Sequence, residues 1–249
     1  MKQIIEVGKL IQNVGDDSEM VDYEMGFIDG SFIDDAMELQ YFVRDSLDNK
    51  ELFVVDPKDF LLNDILPPEK GRMIGVFVEN RLVAYRTLSF PDKGSEYNLG
   101  KEINLPEEEL DKVSLLEATV VHPYFRGNRL QSRMLKHTIA LIKALGYHHV
   151  LSTISPFNYP SLSTVMKEGL TIRDLKRREG VYGGKYRFLL AENLMKAHRN
   201  HYTDPTYIHH ADLEKQLQLL QDGYIGYALK KDEEGFHVLY GKLTSYFEQ

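Results

Sequence analysis

No cysteine occurs among the 249 residues of this chain. Its absence excludes disulfides, thiolate metal ligands and a cysteine nucleophile. Positive charge is also scarce: 30 Lys and Arg stand against 38 Asp and Glu, a formal net charge of −8. A surface of that sign gives general nucleic-acid binding no electrostatic support, and only a local basic groove remains open. No apolar run approaches the roughly 20 residues of a membrane-spanning helix. The apolar opening MKQIIEVGKLIQNV is broken by Glu6 and Lys9 before a secretory core can form, so the cytoplasm is the expected compartment and no membrane partner is expected. Internal repeats and low-complexity runs are absent as well. What remains is 43% hydrophobic and 27% charged, the balance of a soluble globular protein with room for one large domain and an appendage.

Periodicity divides this remainder into elements. Ile4 to Val14 reads as an edge strand. Phe32, Ala36, Leu39, Phe42, Val43 and Leu47 recur at helical spacing, with Asp34 and Asp35 suiting the positive end of the helix dipole. In DPKDFLLNDI, Asp56 can cap a short helix with Pro57 at its first position. RMIGVFVENRLVAYRTLSF is a hairpin turning at Glu79-Asn80-Arg81, with Asn80 the residue expected at positive φ. A polar loop over 91–112 follows, a candidate substrate wall. VSLLEATVVHP reads as a buried strand, and NRLQSRMLKHTIALIKALG as the clearest helix of the chain, ended by Gly146. HHVLSTIS, LTIRDLKRR and KYRFLLAENL read as strands, and NYPSLSTVMKEG as a short helix. The organisation expected is a main domain over 1–195, a polar linker over 196–205 and a small helix–hairpin addition over 206–249. A strand–helix–strand order within one sheet makes the class α/β.

VHPYFRGNRLQSRML, Val121 to Leu135, joins an apolar strand to the long helix through a Pro and a Gly. The first N–H groups of a helix are unpaired and lie at the positive end of its dipole, so such a start can hold a phosphate. Arg126, Arg129 and Arg133 add charge, and the helix is expected to begin near Asn128. A solvated basic helix start is the competing reading, and local physics does not separate the two.

Over a longer span, EATVVHPYFRGNRLQSRMLKHTIALIKALGYHHVLSTISPFNYPSLSTVMKEGLTI resembles the acetyl-CoA-binding half of the Gcn5-related N-acetyltransferase (GNAT) superfamily. The likeness rests on Val121-His122-Pro123 through Gln131, then Asn158, then Gly169-Leu170, in the family's order, and covers roughly Ser31 to Leu194. Tyr182 to Arg187, YGGKYR, is similar to a segment of a bacterial subgroup, here with a C-terminal extension. The resemblance implies a GNAT-like mixed, mainly antiparallel twisted sheet with a splayed central parallel strand pair and flanking helices. It implies that main-chain groups of Thr119, Val120 and Val121 pair with the pantetheine arm. It implies that N–H groups of Arg126, Gly127, Asn128, Arg129, Leu130, Gln131 and Ser132 hold the pyrophosphate, and that Asn158 bonds the pantetheine. Asn158 can equally cap the helix that follows it.

Two departures stand out. Arg129 occupies the family's second glycine, and is expected to take helical dihedrals and to swing aside or reach a phosphate. Val165 occupies the place of the family's tyrosine acid; Tyr159 and Ser163 lie nearby, neither in the matching place, and Tyr159 is the candidate acid. Glu117 is the candidate general base: alternation puts it on the face of Thr119 and Val121, and burial would raise its pKa. An exposed or ion-paired Glu117 is the alternative. The histidines at 198, 201, 209 and 210 with Asp212 match no zinc pattern, so no metal is expected. The function implied is a direct acetyl transfer from acetyl-CoA to an amine. A silent acyl-CoA-binding module and a structural protein dimerising through its C-terminal addition are the alternatives, so a homodimer is among the assemblies considered.

Overall fold

The structure, a computed structural model, describes residues 2–196 and 201–244. The β-branched start forms β1 (Lys2–Val14), and the chain turns at Gly15 into β2 (Asp17–Ile28). β2 was not expected, because Asp and Glu interleave its apolar residues; yet Tyr23 and Met25 are buried at period two. A 3₁₀ turn at Gly30–Phe32 leads into α1 (Ile33–Asp45), with Asp34 and Asp35 in its first turn as expected. α2 (Lys58–Phe60) runs on as a π-helical turn, Leu61–Ile65. Pro57, not Asp56, is its N-cap, and no side chain caps it. β3 (Gly71–Val78) and β4 (Arg81–Ser89) form the expected hairpin, whose turn places both Glu79 and Asn80 at positive φ. β5 (Val113–Val121) and α3 (Leu130–Ala144) follow.

The chain divides into two compact units: Met1–Asp92 with Ser114–Leu141, and Lys93–Val113 with Ile142–Gln249. In the first, the strand order is β1-β2-β3-β4-β5, every pair antiparallel. Successive side chains of β5 serve opposite faces. Val120 packs with Ile33, Ala36, Leu39 and Val43 of α1 and with Leu61 and Ile65. Val121 packs with Leu130 and Met134 of α3 and with Leu10, Tyr23 and Met25. Leu130, 2% exposed, anchors the start of α3, and truncating it to alanine would cost about 2–5 kcal/mol.

The second unit holds 3₁₀ turns at Leu99–Ile103 and Glu107–Lys112, then β6 (His149–Ile154), α4 (Tyr159–Lys167), β7 (Thr171–Arg178) and β8 (Lys185–Asn193). β9 (Tyr202–His209), α5 (Leu213–Gln221), β10 (Tyr224–Asp232) and β11 (Gly235–Leu243) complete it. Its order is β6-β8-β7-β10-β11-β9, again with antiparallel pairs. The division differs from the expected 1–195, 196–205 and 206–249: residues 202–205 already belong to β9, and β10 pairs with β7 at Gly226 and Ile172. β5, α3 and β6 follow one another as a strand–helix–strand crossover, the connection that parallel strands require.

Candidate functional site

Past Val121 the chain makes a 3₁₀ turn, Pro123–Phe125, whose N-cap is His122. The His122 Nδ1 accepts from the Tyr124 N–H at 3.2 Å, and the His122 main-chain N–H donates to the Val83 carbonyl at 2.9 Å. Phe42 of α1 stacks on the imidazole at 4.7 Å, and burial, with the charge of Arg126, lowers the pKa of His122. Gly127 then takes φ 87° and Arg129 φ 58°. Helix α3 therefore starts at Leu130 rather than at Asn128, and Arg129 is left-handed rather than helical. The family's second glycine stands where the backbone needs φ above zero, and arginine accepts that conformation at a cost.

The basic side chains separate in use. Arg126 and Arg129 are exposed. Arg133 is not available as expected: its guanidinium bonds Glu6 through Nε at 2.9 Å and lies over the Tyr23 ring at 4.6 Å, with His137 closing on the same carboxylate at 2.6 Å. Asn128 spends its side chain on β1, accepting from the Ile11 N–H at 2.8 Å and donating to the Ile11 carbonyl at 2.7 Å. An atom added at the Cβ position of Gly127 would meet nothing within 4 Å, so the turn is open beside it. Open space, two exposed cations and the first-turn N–H groups of Gln131, Ser132 and their neighbours suit a phosphate.

Glu117 lies on β5 above a register shift: Arg86 pairs with Thr119, but Leu88 pairs with Leu116. The extra residue in β5 breaks the alternation that put Glu117 with Thr119 and Val121. Glu117 instead accepts a hydrogen bond from the Ser89 hydroxyl at 2.6 Å. Burial raises its pKa, and the Ser89 bond opposes that rise. Two further groups stand out, Asp56, which the sequence offered only as a helix cap, and Arg86, which it did not single out. The Asp56 carboxyl is pushed up to about 7, first by burial and then by the charge of Glu117, and its buried Oδ2 has no hydrogen-bond partner among the described residues. Arg86, 3% exposed, is pulled down to about 10 by burial, and its Nε is also without a partner. The sequence signals were a carboxyl just before Pro57 and an arginine within an apolar strand.

In the second unit, Asn158 caps α4, its Oδ1 accepting from the Ser161 N–H at 3.1 Å. Tyr159 packs 5.1 Å from Phe236, with Lys231 over its ring. Val165 is buried in α4. Arg178 of the RDLKRR stretch is held by Glu102 from the 91–112 segment through two bonds of 3.0 Å, so its guanidinium is internally engaged. His198 lies outside the described residues. His210 stacks on Phe236 at 4.2 Å and Asp212 caps α5 through the Lys215 N–H. Among the described residues no three His, Asp or Glu are grouped to hold a metal, and no helix is long and apolar enough to cross a membrane.

No protein-family model and no curated protein sequence matches this chain. Solved structures do. The ribosomal-protein-S18-alanine N-acetyltransferase of Escherichia coli aligns at 10% identity and TM-score 0.52, over 72% of this chain and 99% of that one. An acetyltransferase of the GNAT family from Streptococcus pneumoniae aligns at 12% identity and TM-score 0.52, over 69% and 99%. A putative acetyltransferase from Salmonella typhimurium, solved with acetyl-CoA, aligns at 14% and 0.53, over 71% and 96%. The fold of this chain is therefore the mixed α/β fold of the GNAT N-acetyltransferases, as its motifs led one to expect.

Proposed function

We propose that this GNAT-fold protein is an N-acetyltransferase that moves an acetyl group from acetyl-CoA directly to an amine. One observation carries the reading: the strand–turn–helix from Thr119 to Ser132, whose left-handed Gly127 and Arg129 open a helix start flanked by exposed Arg126 and Arg129. The N–H groups from Arg126 to Ser132 would hold the pyrophosphate, and main-chain groups of Thr119, Val120 and Val121 the pantetheine. Asn158, whose Oδ1 serves α4, would give its amide N–H to a pantetheine carbonyl.

Acetyl-CoA supplies a thioester whose C–S bond breaks as the C–N bond to the amine forms. Glu117, partly buried and with its pKa raised by desolvation, takes the amine proton, directly or through water. The thiol leaves with a pKa near ~8.5 if it resembles cysteine, so water can return its proton. Tyr159 remains the named side-chain acid, although its ring packs on Phe236. The absence of cysteine favours a ternary complex over a covalent acyl-enzyme. On this reading the protein works in the cytoplasm. A CoA-binding module without turnover is the second reading, favoured by the buried Val165 in the family's tyrosine place.

Calorimetry with CoA, followed by thiol release from acetyl-CoA against a panel of primary amines, tests both. Binding with amine-dependent release supports the enzyme, and binding with no release for any amine supports the module. No binding at all overturns both. Glu117→Gln should keep CoA affinity and lose about 10²–10⁴-fold in turnover, the range of general base catalysis.

A further inference from the structure

One face of the adjoining strands β6, β8 and β7 gathers cations that the proposed reaction does not use. Register puts Thr153 of β6 opposite Leu189 of β8, and Lys176 and Arg178 of β7 opposite Arg187 and Lys185 of β8. Paired residues, and residues two apart on a strand, share a face, so Thr153, Lys176, Arg178, Lys185 and Arg187 stand on one side. Both of these β7–β8 pairs oppose like charges. Such pairs destabilise a sheet unless something negative offsets them.

Acids of the same unit meet most of that charge. Glu102 takes Arg178 through two bonds of 3.0 Å and Lys176 at 3.2 Å, and Asp174 takes Lys176 at 2.9 Å. Arg187 receives neither. Its Nη2 donates to the Thr153 carbonyl at 3.1 Å, and its guanidinium lies 4.8 Å from the centre of the Tyr182 ring. The Tyr182 hydroxyl stands 3.4 Å from Thr153 Oγ1. The Arg187 Nε is buried with no hydrogen-bond partner among the described residues, and no carboxylate among them pairs with this guanidinium. Burial lowers its pKa, opposed by Tyr182 and assisted by the charge of Arg178. A cation withdrawn from water is costly unless it is paired, and one carbonyl and one ring face offset only part of that cost. A purely structural arginine would have its acid in the chain, as Arg178 does. Arg187 is only partly buried as a residue, so a small anion can reach it.

We propose that Arg187 is a specificity-determining residue that binds a carboxylate of the acceptor, so that the amine acetylated belongs to an amino acid or a short peptide acid. The inference rests on the acyltransferase reading. A guanidinium matches a carboxylate geometrically, two N–H groups against two oxygens, and the charge it lacks is the one a carboxylate brings. Its place in the unit agrees. The Thr153 carbonyl that it holds is on β6, the strand that leads to Asn158, the side chain assigned above to the pantetheine. The pyrophosphate already has the turn from Arg126 to Ser132 in that reading, which leaves Arg187 for an anion of the second substrate.

The test uses the full chain labelled with ¹⁵N-arginine. Its Nε–H signals are recorded by NMR as N-acetylated amino acids and their carboxamides are added, the Arg187 signal being identified by its loss in R187K. The acids are expected to move that signal and the carboxamides to leave it in place. In kinetics, wild type should prefer free amino acids to their carboxamides by about 10- to 100-fold in kcat/KM, the range of one charge-assisted bond. R187Q should lose that preference mainly through KM, and R187K, which keeps the charge, should recover part of it. Acids and carboxamides used alike, or an Arg187 signal that the acids do not move, overturn the inference and leave Arg187 structural. An R187Q protein that binds CoA more weakly but dephospho-CoA as before assigns the side chain to the 3′-phosphate and overturns it as well. A wild type that releases no thiol with any amine overturns the acyltransferase reading. The NMR titration then still decides the anion site, which stands if acids move the signal and falls if they do not.

Discussion

Arg129 shows how a single residue can be legible in identity and illegible in conformation. Its place in the motif was read, but its φ of 58° was not, because nothing local distinguishes an arginine in the first helical turn from one just before it. Two effects compete on replacing it with glycine. The left-handed conformation costs an L-residue roughly 1–2 kcal/mol, while glycine adds about 0.4–1 kcal/mol of unfolded-state entropy. Strain relief wins, so Arg129→Gly should stabilise the protein by about 0.5–1 kcal/mol in urea unfolding. Calorimetry with CoA then reports the side chain: a modest loss of affinity means it reaches a phosphate, and a tighter complex means it obstructs. Asp56 gives a second test at this scale. Its folded pKa of about 7 lies above its ordinary 3.8, so the folded state binds the proton more tightly than the unfolded. The stability this contributes is fully present below the ordinary value and is lost as pH rises toward 7, by roughly 4 kcal/mol at most. Urea unfolding from pH 4.5 to 7.5 should show Asp56→Asn gaining on wild type across that interval. A constant difference would mean that Asp56 titrates normally.

At the scale of elements, period decided what could be read. α1, the β3–β4 hairpin and α3 have apolar residues at a clean period of 3.6 or 2, and all three form, α3 starting two residues later than expected. β2 has the same period two at Val21, Tyr23, Met25 and Phe27, but the five Asp and Glu from Asp16 to Glu24 mask it. β9 hides behind histidines and a proline, since its pairing partner lies more than 25 residues on in β11. The Glu117 face was misread for a different reason. An extra residue in a strand leaves no mark in the strand itself and shows only in the partner register. The turn before α3 depends on long-range contacts of the same kind, above all the Asn128 bonds to Ile11. Asn128→Ala removes both, and should cost about 1–3 kcal/mol in denaturant unfolding. Asn128→Asp keeps the acceptor alone and should fall between.

For the whole molecule, the sequence carried the fold through the order of its motifs. It did not carry the relation of the C-terminal segment to its unit, because strand pairing is not a local property. β10 joins β7 at Gly226, where an added Cβ would stand 3.0 Å from both Ile172 and Val238. Removing everything after residue 195 therefore strips β7 of a neighbour and uncovers Ile172, which is fully buried. Such a truncation should lose cooperative thermal unfolding or precipitate, whereas a separable appendage would leave a soluble, folded remainder.

The Asn128 bond to Ile11 has one more consequence. β1 is the outer strand of its unit, 13 residues long, with Val7, Ile11 and Met20 of the β1–β2 ribbon exposed. Such a border invites a strand from another copy, and proteins usually guard it with charge or proline. Here a side chain from the turn before α3 sits on the N–H and carbonyl of Ile11 and acts as a stopper. On the proposed CoA-binding reading, ligand in the turn and self-association through β1 would be linked equilibria, each biasing the other. Light scattering should record more self-association in Asn128→Ala, and less of it in wild type when CoA is present.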